Sequence, residues 1–205
     1  MLTLPFQTRR RRAFIEGYDF SPALRAKLRK TFDDDRQVQI ALEGLREWYV
    51  VCLTANGRML GMPSRAVDVA WHEMILMTRE YHHFCERAFG DYLHHTPESE
   101  MDEPMQSSLA NTLAIVENQS PTVGGVPPLF AVDKELDIKD GFVWHAHDIA
   151  RIRASRDSLQ TSYGAASIAH LWGGSGGGGH IGGGGDGGGG GGGGCGGGGC
   201  GGGGG

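Results

Sequence analysis

Residues 64–90 read SRAVDVAWHEMILMTREYHHFCERAFG, and neither glycine nor proline interrupts them between Pro63 and Gly90. Ser64 is a favourable N-cap, because its hydroxyl can accept one of the N–H groups that the first turn leaves unpaired. At about 100° per residue, Phe84, Met77, Ala70, Ala88, Tyr81, Met74, Val67, Cys85, Trp71 and Phe89 share one broad arc. So apolar an arc must be buried, and the spacing predicts one long core helix over about 64–89. The opposite arc carries Asp68, His72, Arg79, His82, His83 and Glu86. Its imidazoles therefore stand in solvent or along a groove.

Working outward, Ser21 followed by Pro22 marks a helix start, since proline costs nothing at the first helical position. That helix should run to about Phe32, with Leu24 and Leu28 one turn apart. A second should begin near Asp34 or Asp35, carry Val38, Leu42, Leu45, Tyr49 and Leu53, and stop at Asn56-Gly57. Downstream, Ser107 to Asn118 suits a short helix, and Pro121 to Pro128 reads as a loop. Phe142 to Arg153 fits either a strand or a helix, and helix is favoured because β-branched residues are sparse there. Ala165 to Trp172 forms an apolar end piece. The fold class expected is mostly α: a small helical bundle with a histidine-rich helical domain over 13–98, and a loop-rich, short-helix extension over 99–172 packed on it.

Of the 36 glycines, 27 lie between Gly173 and Gly205. Nothing in that segment can offset the ordering entropy of its backbone, so it is expected to be a flexible coil reaching roughly 30 Å. The net charge is −5, which hides a basic amino end formed by Arg9 to Arg12, Arg25, Lys27, Arg29 and Lys30. No pattern of a nucleic-acid module accompanies that cluster, which favours a solvated terminus over a nucleic-acid surface. The longest strongly apolar run, Trp48 to Leu53, is far short of the ~20 residues of a membrane span, and no signal peptide precedes it. Four cysteines, at 52, 85, 195 and 200, make no disulfide framework in a chain of this length, so reduced thiols and a cytoplasmic location are expected.

The chemistry concentrates in the histidines. Asp68 and His72 are spaced i, i+4, which allows a metal pair or a carboxylate that orients an imidazole. His82, His83 and Glu86 cluster further along the same helix, and His94 and His95 follow its end. Zinc, iron and copper take such nitrogen and oxygen donors. Along a straight helix His72 and His83 are roughly 16 Å apart, so one ion cannot take both. His145 and His147, in a Trp-His pair that echoes Trp71-His72, are possible further ligands. Cys85 projects onto the apolar arc, which suits an inert thiol better than a nucleophile. Cys195 and Cys200 stand in glycine as C-x4-C, without the second pair of a structural zinc site. No catalytic set is assigned.

The pattern Asp68-x-x-Trp71-His72, Tyr81-x-x-x-Cys85, Phe89-Gly90 and Leu93-His94-His95, with the glycine and cysteine tail, resembles the glycine-rich domain-containing protein family of bacteria and plants. The resemblance covers about residues 60–97 and implies a helical domain with Asp68, Trp71, His72, Tyr81, Cys85, Gly90, His94 and His95 as signature positions. It implies no reaction. The expected function is a binding module whose histidine-lined groove takes a divalent metal or a protein partner, with the tail as tether. Two alternatives stand beside it: a metal-dependent hydrolase or oxidoreductase using the same histidines, and the precursor of a modified Gly/Cys peptide.

Overall fold

The computed structural model describes residues 6–55, 57–96, 105–119, 122 and 124–156. The chain separates into a unit of residues 1–174 and a unit of residues 175–205, and the second lies outside the described residues. So do Ala165 to Trp172, Cys195 and Cys200, and with them the expectations placed on the end piece and the tail. The first unit is mostly helical, as its periodicity requires. Its helices are α1 (Phe6–Glu16), α2 (Pro22–Leu28), α3 (Asp35–Ala55), α4 (Arg65–Leu76), α5 (Thr78–Ala88), α6 (Met105–Glu117), α7 (Pro128–Glu135) and α8 (146–156). No strand occurs among the described residues, so the strand alternative for 142–153 gives way to helix.

The central element is α3, which packs on α1, α4, α6 and α7. Its apolar positions Val38, Leu42, Leu45 and Tyr49 are all buried, and Gly57 beyond its end takes a φ of 83°. Gly44 sets how closely its neighbours approach. A Cβ there would lie 2.6 Å from Val67 Cγ2 and 3.3 Å from Val132 Cγ2, so only a glycine lets α4 and α7 close on this face. The caps follow the sequence: the Ser21 hydroxyl accepts from the Leu24 N–H at 3.2 Å, and the Ser64 hydroxyl from the Val67 N–H at 3.2 Å.

The structure corrects one expectation of consequence. The helix predicted as continuous over 64–89 is broken at Met77, whose backbone sits at φ −86° and ψ 57°. The Met77 N–H turns back to Met74 O at 3.0 Å, and Met77 O then accepts the Tyr81 N–H at 2.9 Å to begin α5. Neither proline nor glycine causes this; tertiary packing does. The bend seats Phe84 among Phe14, Tyr18 and Tyr49, with ring centroids 5.7, 4.7 and 4.6 Å away. It also brings Glu80 within 3.1 Å of the Tyr18 hydroxyl. Burying an aromatic side chain of this size contributes about 2–3 kcal/mol, enough to offset the helical hydrogen bonds given up at the bend. The predicted arc survives the break, because Val67, Ala70, Trp71, Met74, Tyr81, Phe84, Cys85 and Ala88 are all buried.

The start of α4 is fixed from a distance. Asp133 of α7, 1% exposed, accepts from the Ser64 hydroxyl at 2.7 Å, the Arg65 N–H at 2.8 Å, the Ala66 N–H at 2.9 Å and the Phe142 N–H at 2.8 Å. A buried carboxylate is tolerable when its lone pairs are filled in this way, and its charge suits the positive end of the α4 dipole.

Candidate metal centre

With its first turn so anchored, α4 presents Asp68 and His72 on one partly exposed face, and the chain beyond α5 returns His95 to the same place. His95 Nε2 lies 3.1 Å from Asp68 Oδ1, and His72 Nδ1 lies 3.4 Å from Asp68 Oδ2. The two imidazole rings are 4.3 Å apart, and His95 also packs on Trp71 at 4.6 Å. One donor atom from each of Asp68, His72 and His95 falls within 4.8 Å of the others, a spacing that can hold one ion. His72 Nδ1 also donates to the Asp68 carbonyl at 2.8 Å, which leaves the lone pair of the neutral ring on Nε2. A backbone carbonyl orienting one ring nitrogen is the usual support of a metal-ligating histidine.

His95 is positioned by a clasp built from Trp71 and Tyr81. The Tyr81 hydroxyl accepts from Trp71 Nε1 at 3.0 Å and donates to the Leu93 carbonyl at 2.6 Å. The Cys85 thiol is buried one turn beyond Tyr81 on the same helix. Trp71 of α4 thus holds the Tyr81 hydroxyl, and Tyr81 of α5 holds the backbone two residues before His95. Burial pushes both the Tyr81 phenol and the Cys85 thiol above their ordinary values, so both stay protonated at neutral pH. A buried neutral thiol in this role is a structural partner and not a nucleophile.

The remaining sequence candidates occupy other places. His82 and His83 pair with Glu86 at 3.4 and 3.5 Å on the exposed face of α5. His94 packs at a tilt against Tyr92, with centroids 4.9 Å apart. His145 and His147 lie nearly parallel to one another at 5.4 Å where α8 begins, and Asp148 takes the His145 N–H at 3.0 Å as a cap. Among the described residues, Asp68, His72 and His95 are the group of three potential ligands that comes together. Sequence reasoning named all three but did not assemble them. The i, i+4 pair was legible, whereas the return of His95 depends on the bend at Met77 and the clasp on Leu93. Part of the basic amino end is paired within the fold: Arg12 with Glu16 at 2.7 Å, Lys27 with Glu73 at 3.1 Å, and Arg29 with Asp35.

Asp68 and His95 also form part of the wall of a cleft of about 410 Å³ between α3, the segment after it, the start of α4 and the 93–96 segment. These features define a class: a helical bundle with a carboxylate and two imidazoles gathered at the side of an apolar cleft. The chain belongs to the UCP032817-like family, which it matches over residues 10–168. That match corrects the resemblance to the glycine-rich domain-containing family: it extends through most of the 99–172 region that the resemblance left out, and it ends before the glycine tail on which the resemblance partly rested. No curated protein and no solved structure matches the chain. Among the described residues, no helix is long and apolar enough to cross a membrane.

Proposed function

We propose that the protein is a cytoplasmic binding module for a divalent transition-metal ion, with Asp68, His72 and His95 as the ligands. The observation that carries this reading is the mutual approach of three donor atoms from two separate chain segments to within 4.8 Å. Two nitrogens and one carboxylate oxygen suit zinc, iron(II) or copper(II) better than the all-oxygen preference of calcium or magnesium. His95 Nε2 faces Asp68 Oδ1 at 3.1 Å, and a ligand histidine must present a lone pair from its neutral ring, so retention should weaken on acidification. The free thiols of Cys52 and Cys85 support a reducing compartment.

Equilibrium dialysis of the full chain against zinc, iron(II) and copper(II), followed by elemental analysis, tests the assignment. One ion per chain should be retained, and each of Asp68→Asn, His72→Ala and His95→Ala should lose it. His82→Ala and His83→Ala should keep it. Retention that is absent, or that survives all three ligand substitutions, would refute the reading. A second reading, a metal-dependent enzyme, is favoured by Asp68 and His95 lining the cleft. Three protein ligands leave a coordination position for water or substrate, as catalytic sites do.

A further inference from the structure

The cleft has the size of a small-molecule site, and ring contacts show how its wall joins the candidate metal centre. Asp68 and His95 line it together with Trp71 and Trp48. The His95 ring packs on Trp71 with centroids 4.6 Å apart, and Trp71 packs on Trp48 at 5.7 Å. One proposed ligand is thus continuous with an aromatic surface that borders the cleft. His72, the third ligand, is not among the lining residues, and its side chain is 53% exposed. An ion held by all three therefore sits at the edge of the cleft. Met59, Met62 and Met105 line the cleft as well, as does Phe142. Thioether side chains are polarizable and unbranched, so they adjust to the outline of an occupant.

From this juxtaposition we infer that the cleft binds a small molecule with a flat aromatic body and an oxygen-donor head, the head completing the coordination of the ion and the ring lying among the indoles and thioethers. The inference deepens the metal-binding reading and rests on it. Three protein ligands leave at least one coordination position unfilled, and oxygen is among the donors that zinc accepts there. Head and body bind as linked pieces: a ring seated in the cleft holds its head near the ion at a high effective concentration, and the bound head does the same for the ring. An aromatic body suits the lining better than an aliphatic one. Thioether sulfur makes favourable contacts with ring edges, and indole and phenyl rings pair with a further ring edge to face or offset.

Isothermal titration of benzohydroxamate and acetohydroxamate into the full chain, zinc-loaded and chelator-stripped, tests the inference, because the two probes share one oxygen-chelating head and differ in body. Zinc-loaded protein should prefer the phenyl compound by at least about tenfold, the effect of burying most of a ring. Cyclohexanecarbohydroxamate should fall between the two. Stripping the zinc should weaken benzohydroxamate by at least about tenfold, the loss of one good contact to the head. Phe142→Ala, at an exposed position, should keep the zinc and the helicity seen by circular dichroism while narrowing the phenyl preference about two- to tenfold. Equal affinity for the phenyl and methyl probes, a cyclohexyl probe as tight as the phenyl one, or binding of none by protein that holds zinc would overturn the cleft assignment and leave the metal site standing. Benzohydroxamate binding that survives stripping undiminished would overturn it too, since the head would then owe nothing to the ion. Zinc content measured on each sample before and after titration keeps the two readings apart: a chain that never holds zinc refutes the metal site, and this inference falls with it.

Discussion

Tyr81 shows how much a single hydroxyl can settle in this fold. It is fully buried and spends its oxygen on two partners, Trp71 Nε1 and the Leu93 carbonyl. Neither partner is a proposed ligand, yet the Leu93 bond determines where His95 can stand. Tyr81→Phe keeps the ring and the packing while removing both bonds. The expected cost in stability is about 1–2 kcal/mol by urea titration. The expected loss in zinc affinity is about 10- to 100-fold, the range for removal of a group that supports a ligand from behind. A stability loss with zinc affinity unchanged would make Tyr81 a core residue and nothing more. The sequence shows Tyr81 and Cys85 one turn apart on an apolar arc, so their burial was readable. The bond from Tyr81 to Leu93 was not, because no periodicity reports what the chain does after a helix has ended.

Helix boundaries divide in the same way between those written locally and those imposed by neighbours. Ser21, Pro22 and Ser64 act through groups within three residues of themselves, which is why α2 and α4 begin where the pattern places them. The bend at Met77 has no local sign, and α7 was hidden in a stretch that begins with two prolines and reads as the end of a loop. Asp133, the residue of α7 that matters most to α4, sits 67 to 69 residues away from the groups it caps. Asp133→Ala would leave the Ser64 hydroxyl and three backbone N–H groups without their acceptor, at a cost of about 3–5 kcal/mol. Because α4 carries Asp68 and His72, the same substitution should weaken zinc retention even where the chain remains folded. Urea denaturation read beside metal content checks both. A loss below about 1 kcal/mol would mean that water replaces the carboxylate and that α7 does not anchor α4.

Several buried or half-buried acids are held neutral across the molecule, and together they fix how its stability responds to alkali. Burial raises Cys52, Cys85, Tyr49 and Tyr81 above their ordinary values, with desolvation the largest cause in each case. The Tyr49 hydroxyl finds only a thioether partner, Met74 Sδ at 3.3 Å, which does nothing for a phenolate. For such groups the unfolded chain ionises first, so above its thiol value the native state binds more protons and stability falls as pH rises. Their contribution is fully present at neutral pH, declines from about pH 9 as unfolded thiols ionise, and declines further near pH 10 as unfolded tyrosines follow. Each group adds about 1.4 kcal/mol per pH unit once its unfolded form is ionised and its native form is not. Cys52 alone therefore implies a slope approaching about 1.4 kcal/mol per unit between pH 9 and 10, and Cys85 adds in the same direction. Urea titrations under reducing conditions at pH 7, 9 and 10 should show this decline, and Cys52→Ala combined with Cys85→Ala should remove most of the part below pH 10. Stability that stays level from pH 7 to 10 would mean these groups ionise inside the fold, and that the aromatic and thiol core is wetter than its packing indicates.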